Sequence, residues 1–440
     1  MRLTFLLICA ACAPASVIGD ARDGTLPGDG GSTDGGAIDG GGTDSGTDGG
    51  GTDGGSDNPP GVEDVGGFDT PDDPDDGVER LYVDGISSIS IELSADEERD
   101  LERSGTSWTG ATLVHEGSEY FVAMRLKGSS TYTSLNSKPS IKIDVNRYVP
   151  SQKFLGHASF NLHNQILDPS WMSETMSTTS YRDALLPAGR TAYTRLSING
   201  EDYGLYTIAE PPNREFLRSW FGSDQGNLYE NSYQDCEVTN PGCFDVEQDD
   251  LNDTSGLYDL ADVARLEGDA WRDGMQVLFD WDQFIGAMAM EAMIAHWDGY
   301  AYDLSNYRLF LSADTGLMTF IPGSLDLDYG YRPWSYPNCG QYATNPSDYD
   351  DGVLALRCEE DPTCHQEIVD RMEVLLDQWE AGDPVGRLDA LQALIADDVA
   401  SDPKAVYDRR DFEEHAACQR AWIDQRPAEL RAWIEGERSR

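Results

Sequence analysis

The stretch HWDGYAYDLSNYRLFLSADTGLMTFIPGSLDLDYG, residues 296–330, decides how the chain reads. Two apolar, strand-like runs, Tyr307 to Leu311 and Leu317 to Ile321, flank the turn Ala313-Asp314-Thr315-Gly316. Asp and Gly supply turn conformations that other residues resist, so the spacing predicts a β-hairpin. Asp298 and Asn306 stand just before it, and Asp326 and Asp328 just after it. Antiparallel pairing brings the two ends of a hairpin together, so an Asp, an Asn and a further Asp are expected to converge. Oxygen ligands of this kind suit a hard divalent cation such as Mg2+, which keeps waters and takes one or two carboxylates plus substrate phosphates. An Asp that handles a hydroxyl proton, an Asn shortly after it and a second Asp past a hairpin also match the parts used in phosphoryl transfer. The plain alternative is a hairpin with acidic ends on an acidic chain.

That acidity limits the partners. With 31 Lys+Arg against 80 Asp+Glu the net charge is −49, so like-charge repulsion opposes binding to nucleic acid. The charge fits cation binding or basic substrates, or simply keeps an extracellular protein soluble. Of the eight cysteines, Cys9 and Cys12 lie in an apparent leader, which leaves Cys236, Cys243, Cys339, Cys358, Cys364 and Cys418. An even number fits disulfides formed outside the cytoplasm. Cys236 with Cys243 and Cys358 with Cys364 read as local pairs, leaving Cys339 for Cys418. A zinc site is the alternative, but no CxxC occurs outside the leader.

Residues 1–19, MRLTFLLICAACAPASVIG, read as an export signal whose apolar run is too short to anchor the chain across a bilayer. Ala10-Ala11-Cys12 resembles the end of a bacterial lipobox with Cys12 as the lipid-modified residue. Cys9 stands where Leu is usual, and cleavage without lipid is the alternative. Any membrane association is expected only through that lipid. Residues 20–78, mostly Gly, Asp, Thr and Ser, cannot bury enough apolar surface to offset ordering and are expected to form a disordered tether.

The folded part is expected over 79–440, β-rich over 79–210 and helical over 211–440. Ile89 to Leu93 alternates as a strand does, and Ser94-Ala95-Asp96-Glu97 opens a helix with a capping box. Trp108 to His115, Tyr120 to Leu126, Ser140 to Val145 and Ala158 to Leu162 are further strands. Asp168-Pro169 begins a helix reaching about Ala184, and Tyr193 to Ile198, Asn199-Gly200 and Tyr203 to Ala209 form a second hairpin. A helix follows at Asn213 to Trp220, then an irregular cysteine-bearing segment to about Asp253. Helices are expected at Thr254 to Glu267, Asp280 to His296, Glu367 to Trp379, Val385 to Val399 and Asp411 to Glu437. The Met-rich stripe of the second, Met288, Met290 and Met293, reads as core.

Cations concentrate in Arg125-Leu126-Lys127-Gly128-Ser129-Ser130 and in Lys138-Pro139-Ser140-Ile141-Lys142-Ile143. A phosphate site needs a Lys on a strand and a Gly-containing turn, whereas lysines beside a hairpin are usually solvated. His157, His163 and His296 show no helical i, i+4 spacing, no GxSxG, HExxH or Walker motif occurs, and the lone Gly128 makes no GxGxxG loop.

Taken together these motifs resemble the spore coat protein H (CotH) family of atypical secretory kinases. Asp298-Gly299-Tyr300, Ser305-Asn306-Tyr307 and Pro322 to Gly330 are similar to its D-G-Y, N-N-Y and P-W-D/G-x-D-x-x-F/Y-G elements. Asp326 falls on the second Asp of the last, while Gly323 and Ser324 stand where the family has Trp and the first Asp. Arg125 to Ser130 and Lys138 to Ile143 resemble its N-lobe motif, and Gly204 to Glu210 with Phe216-Leu217 its G-x-Y-x-x-x-E and E-x-x-x-x-x-F-L segments. The resemblance implies an α+β, atypical two-lobed protein-kinase-like domain using ATP with Mg2+ or Mn2+. It implies Asp298 as the catalytic residue that accepts the substrate hydroxyl's proton, Asn306 and Asp326 on the metal, and Lys142 on the α- and β-phosphates, with Lys138 and Arg125 assisting. Glu210 is implied near the adenine or ribose, and Glu174 as the acid pairing with the nucleotide lysine. The expected partner is an exported protein substrate phosphorylated on Ser or Thr. A catalytically inactive surface lipoprotein, binding or adhesive, is the alternative, and AMP transfer would use the same residues.

Overall fold

Period-2 alternation builds the first half. The computed structural model describes residues 80–129, 131–231, 236–330 and 345–439. Strands β1 (Ile86–Glu92), β2 (Thr109–His115), β3 (Ser118–Lys127), β4 (Ser140–Asp144), β5 (Ser159–His163), β6 (Thr191–Ile198) and β7 (Glu201–Ala209) close a barrel in the order β1-β2-β3-β4-β5-β7-β6. The seam is a parallel pairing of β1 with β6 that sets Ile89 opposite Leu196. Ile89, Ile91, Leu113, Met124, Leu126, Ile141, Ile143, Phe160, Leu162 and Ile208 fill the interior. Helix α1 (Ala95–Arg103) opens with the expected Ser94 and Glu97 capping box. The Asn199-Gly200 turn joins β6 to β7 with both residues at positive φ, 50° and 77°.

Helix α2 (Ser173–Asp183) starts four residues later than a helix opening at Pro169 would. Asp168 does bond to the first turn, accepting from Ser173 N at 2.8 Å, but it also accepts from Ser170 N and Oγ at 2.8 and 2.6 Å. Those local bonds stabilise a separate turn before the helix.

After α3 (Arg214–Phe221), capped by Asn213, the chain leaves the barrel. The segment expected to be irregular contains β8 (Gly226–Asn231) and β9 (Phe244–Asp249). Their sequences, GNLYEN and FDVEQD, carry one β-branched residue between them, so propensity concealed strands that pairing creates. The hairpin of residues 307–322 forms as expected, as β10 (Tyr307–Ser312) and β11 (Met318–Pro322), and completes a sheet of order β11-β10-β8-β9.

The remainder is helical: α4 (Ser255–Ala264), α5 (Gly268–Leu278), α6 (Trp281–Ile294), α7 (Tyr300–Asp303), α8 (Val353–Glu360), α9 (Pro362–Ala381), α10 (Pro384–Ser401) and α11 (Arg409–Glu437). Neither α5 nor α8 is anticipated by the sequence reading. The Met stripe on α6 is core: Met288, Met290 and Met293 are buried with Phe284 and Ile285. Cys236–Cys243 and Cys358–Cys364 are bonded as expected, with Cα atoms 5.7 and 5.0 Å apart. Cys418 is also disulfide-bonded. Cys339, the export signal, the lipobox at Cys12 and the tether lie outside the described residues. No helix among the described residues is long and apolar enough to cross a membrane.

The C-terminal end of α6 is tied to α11 by a buried cation. Arg426 Nε donates to Met293 O at 2.9 Å and Nη2 to Ala292 O at 2.6 Å, which satisfies carbonyls left open where a helix stops. Its guanidinium also lies 4.9 Å from the centre of the Trp422 ring. Arg426→Ala should therefore lower unfolding stability by about 3 kcal/mol, read as a shift in the urea midpoint. A shift below about 0.5 kcal/mol would show that water replaces the guanidinium at no cost.

Candidate active site

Strand register determines which side chains reach the main cleft, whose volume is about 470 Å³. Pairing sets Arg125 opposite Lys142 and Lys127 opposite Ser140, and Lys142 opposite Asn161. Because strand side chains alternate, Arg125, Lys127, Lys142 and Asn161 share the outer barrel face and line the cleft, while Leu126, Ile141 and Leu162 fill the core. The facing wall carries Asp298, Asn306 and Asp326.

The turn after α6 builds that wall. Ala295 ends the helix at φ 56°, and His296 follows with Nδ1 2.7 Å from Asp328 Oδ1, both side chains wholly buried. Burial alone would lower the imidazole, but Asp328 and Glu291 outweigh it and hold His296 up to about 9. Burial lifts the Glu291 carboxyl to about 7, and it accepts from Ala301 N at 2.7 Å. A Cβ on Gly299 would collide with His296 Cδ2 and stand 2.9 Å from Glu291 Oε2. This is a physical reason for the Gly of the D-G-Y element.

Asp298 emerges from this packing into the cleft. Asn306 Nδ2 donates to its Oδ2 at 2.7 Å and to its carbonyl at 2.8 Å. Asn306 itself is left-handed, φ 52°, a conformation Asn tolerates better than most residues. Burial raises the Asp298 carboxyl although His296 pulls it down. Asp326, partly exposed, is raised further, to about 8, by burial and then by Glu174, Asp168 and Asp298. Among the described residues no side chain pairs with Asp326. Acids crowded this way favour a bound cation. The Asp326 carboxylate and the Asn306 amide oxygen fit the all-oxygen preference of Mg2+ or Mn2+. No cluster of three His, Cys, Asp or Glu suited to a metal occurs among the described residues, so the amide, water and substrate oxygens would complete the shell.

A family model described as CotH kinase protein matches residues 124–430, which include every residue of both walls. The chain belongs to the CotH kinase family. A solved structure, the Helicobacter pylori proinflammatory kinase CtkA, is similar over 80% of this chain and 98% of that chain. Its identity is 8% and its TM-score 0.36, too remote to carry an argument. No curated protein matches the chain.

Of the residues expected at a CotH-family site, Arg125, Lys142, Glu210, Asp298, Asn306 and Asp326 all line the one cleft. Lys138 does not. It is 2% exposed, its Nζ donates to Asp402 Oδ2 and, at 3.1 Å, to Tyr203 O, and it lies between the Trp171 and Tyr206 rings. It stands in the turn before β4, held against the residue that ends α10 and outside the cleft lining, so its expected role on the phosphates is corrected to a structural one. Glu210 lies at the cleft with its carboxylate paired to Arg190, Nε to Oε2 at 2.8 Å. Glu174 sits beneath the cations but meets His163 first, its oxygens 2.8 and 3.0 Å from Nδ1. Lys127, His163 and Arg308 were not assigned roles from sequence. Alternation in β3 places Lys127 beside Arg125, and that signal alone would have found it.

Two outcomes follow. Lys138→Met leaves Asp402 buried without its cation and should cost about 3–5 kcal/mol in urea unfolding; a neutral substitution would mean the pair contributes nothing. The raised His296 adds stability that is complete below its ordinary value near 6.5 and is lost as pH climbs through about 9. Melting temperature should therefore fall from pH 7 to 10 more steeply in the native protein than in His296→Gln, and parallel curves would refute the charged imidazole.

Proposed function

We propose that this CotH-family protein is an exported protein kinase with a two-lobed, kinase-like active domain, transferring the γ-phosphate of ATP to Ser or Thr hydroxyls of secreted or surface proteins. The observation that carries the reading is the pairing of walls: acids with a fixed Asn on one side of a single cleft, and cations on the other. Bound there, ATP supplies the phosphoryl group and the divalent cation neutralises charge on its oxygens.

The chain's own groups do the rest. Asp298, fixed by two hydrogen bonds from Asn306, orients a substrate hydroxyl and takes its proton. Asn306 through its amide oxygen and Asp326 hold the cation. Arg125 and Lys142 position phosphate oxygens from the barrel face, and Glu210 lies where the nucleoside would enter. Such positioning provides most of the catalysis in phosphoryl transfer. The disulfides Cys236–Cys243 and Cys358–Cys364 are consistent with an exported protein. Lipidation at Cys12, holding the protein at the outer membrane or cell surface, belongs to the same proposal.

A second reading, a surface binding module without catalysis, draws on Gly323 and Ser324 in place of the family's Trp and Asp. Incubating the disulfide-intact full chain with α- or γ-labelled ATP and Mg2+ or Mn2+ separates these. Protein labelling from γ-labelled ATP should fall at least ~100-fold in Asp298→Asn and in Asp326→Asn. Label arriving from the α position would instead establish AMP transfer. No label and no nucleotide-dependent rise in melting temperature would favour the binding module.

A further inference from the structure

We propose that Lys127 is the lysine that grips the nucleotide phosphates, and that His163 is a positioning residue holding it as a neutral spacer between Lys127 and Glu174. The proposal rests on the nucleotide reading above and assigns the grip within it. Lys127 Nζ lies 3.0 Å from His163 Nε2, and His163 Nδ1 lies 2.8 and 3.0 Å from the Glu174 oxygens. Gln165 Nε2 adds a fourth member, donating to Glu174 Oε2 at 2.8 Å. The four residues come from β3, the end of β5, the turn after it and the first turn of α2, and all line the cleft.

Hydrogen-bond logic fixes the tautomer. An ammonium only donates and a carboxylate only accepts, so His163 must accept at Nε2 and donate from Nδ1. That is the neutral imidazole. A protonated ring would aim a second N–H at the ammonium and break the chain. Glu174 accepts from His163 Nδ1 and Gln165 Nε2, and these donors together with the Lys127 charge favour its ionised form against burial.

The consequence for Lys127 is directional. A lysine in direct contact with a carboxylate is neutralised by it. Held by a neutral nitrogen instead, Lys127 uses one of its three donors for orientation and keeps two for phosphate oxygens. Lys142 is placed differently. Its strongest attractions are to Glu247 and Glu230, on β9 and β8, whereas for Lys127 the strongest is to Glu174. Burial lowers both lysines to about 8, so each depends on nearby acids to stay charged at neutral pH. For Lys127 that acid is reached through His163.

The test uses the full chain, measuring Mg2+-ATP affinity by calorimetry alongside the ATP KM and kcat for γ-label transfer. Lys127→Met should weaken ATP at least ~10-fold in both Kd and KM, and His163→Leu by a similar factor, with the protein-substrate KM unchanged. Lys142→Met should weaken it less. His163→Gln, a neutral side chain with one donor and one acceptor, should recover most of what His163→Leu loses, which a purely packing role would not produce. If Lys127→Met does not fold, Lys127→Gln takes its place. Native affinity in the folded Lys127 variant, or equal loss in His163→Gln and His163→Leu, overturns the assignment while leaving the kinase reading intact. Failure of the native chain to bind ATP overturns both.

Discussion

The buried ion pair between His296 and Asp328 is the constraint on which the site depends. Removing two charges from water is expensive, and it is repaid only when the pair is close and its surroundings are arranged around it. Here the pair is 2.7 Å apart with no exposure, and Glu291 adds a second carboxylate nearby. One backbone segment passes between these groups. Ala301 N is held by Glu291, Gly299 has no room for a side chain, and Asp298 has only the cleft to face. From the opposite direction Asp328 fixes the end of the segment that carries Asp326. A single charged histidine thus fixes both acids of the acidic wall, although it touches neither the cleft nor anything bound in it.

By its net charge of −49 alone, the chain would repel a nucleotide everywhere. Local arrangement overrides the total, since potentials inside a low-dielectric cleft are set by the nearest groups. Barrel register places Arg125, Lys127 and Lys142 side by side on one face, and Arg308 on β10 adds a fourth cation, paired with Glu230. The acids on the other wall are partly uncompensated, as the raised Asp326 carboxyl shows. A ligand that is itself a polyanion carrying a cation satisfies both walls at once; neither wall alone is selective.

Legibility in the sequence followed the range of the interactions. The capping box at Ser94, the Asn199-Gly200 turn and the hairpin at 307–322 are local, and each formed where its residues indicated. The cross-chain events were not legible. Strands β8 and β9 exist because β10 pairs with β8, while their own composition argues against them. Helix α2 starts late because Asp168 bonds to a turn before it. At the site, spacing and motif located Asp298, Asn306 and Asp326 near one another, but no spacing shows that a histidine stands between Glu174 and a lysine 47 residues from it in the chain. That fact appears only when β3, β5 and α2 are brought together.

The misassignment of Lys138 shows why a motif can resemble a family's for a structural reason. Asp402, just beyond α10, accepts from Lys138 Nζ and from Leu205 N at 2.9 Å. Gly204 must be glycine there, since it adopts φ 79° and any Cβ would collide with the Asp402 carboxylate. Tyr206 then packs its ring under the Lys138 ammonium. The lysine of one motif and the glycine and tyrosine of another therefore converge on one carboxylate supplied from the C-terminal helices. Their spacing records how the barrel is fastened to those helices, while Arg125 and Lys127 on β3 and Lys142 on β4 face outward and line the cleft. Within one motif, Lys138 in the turn before β4 fastens the barrel to Asp402, while Lys142, four residues on and within β4, lines the cleft.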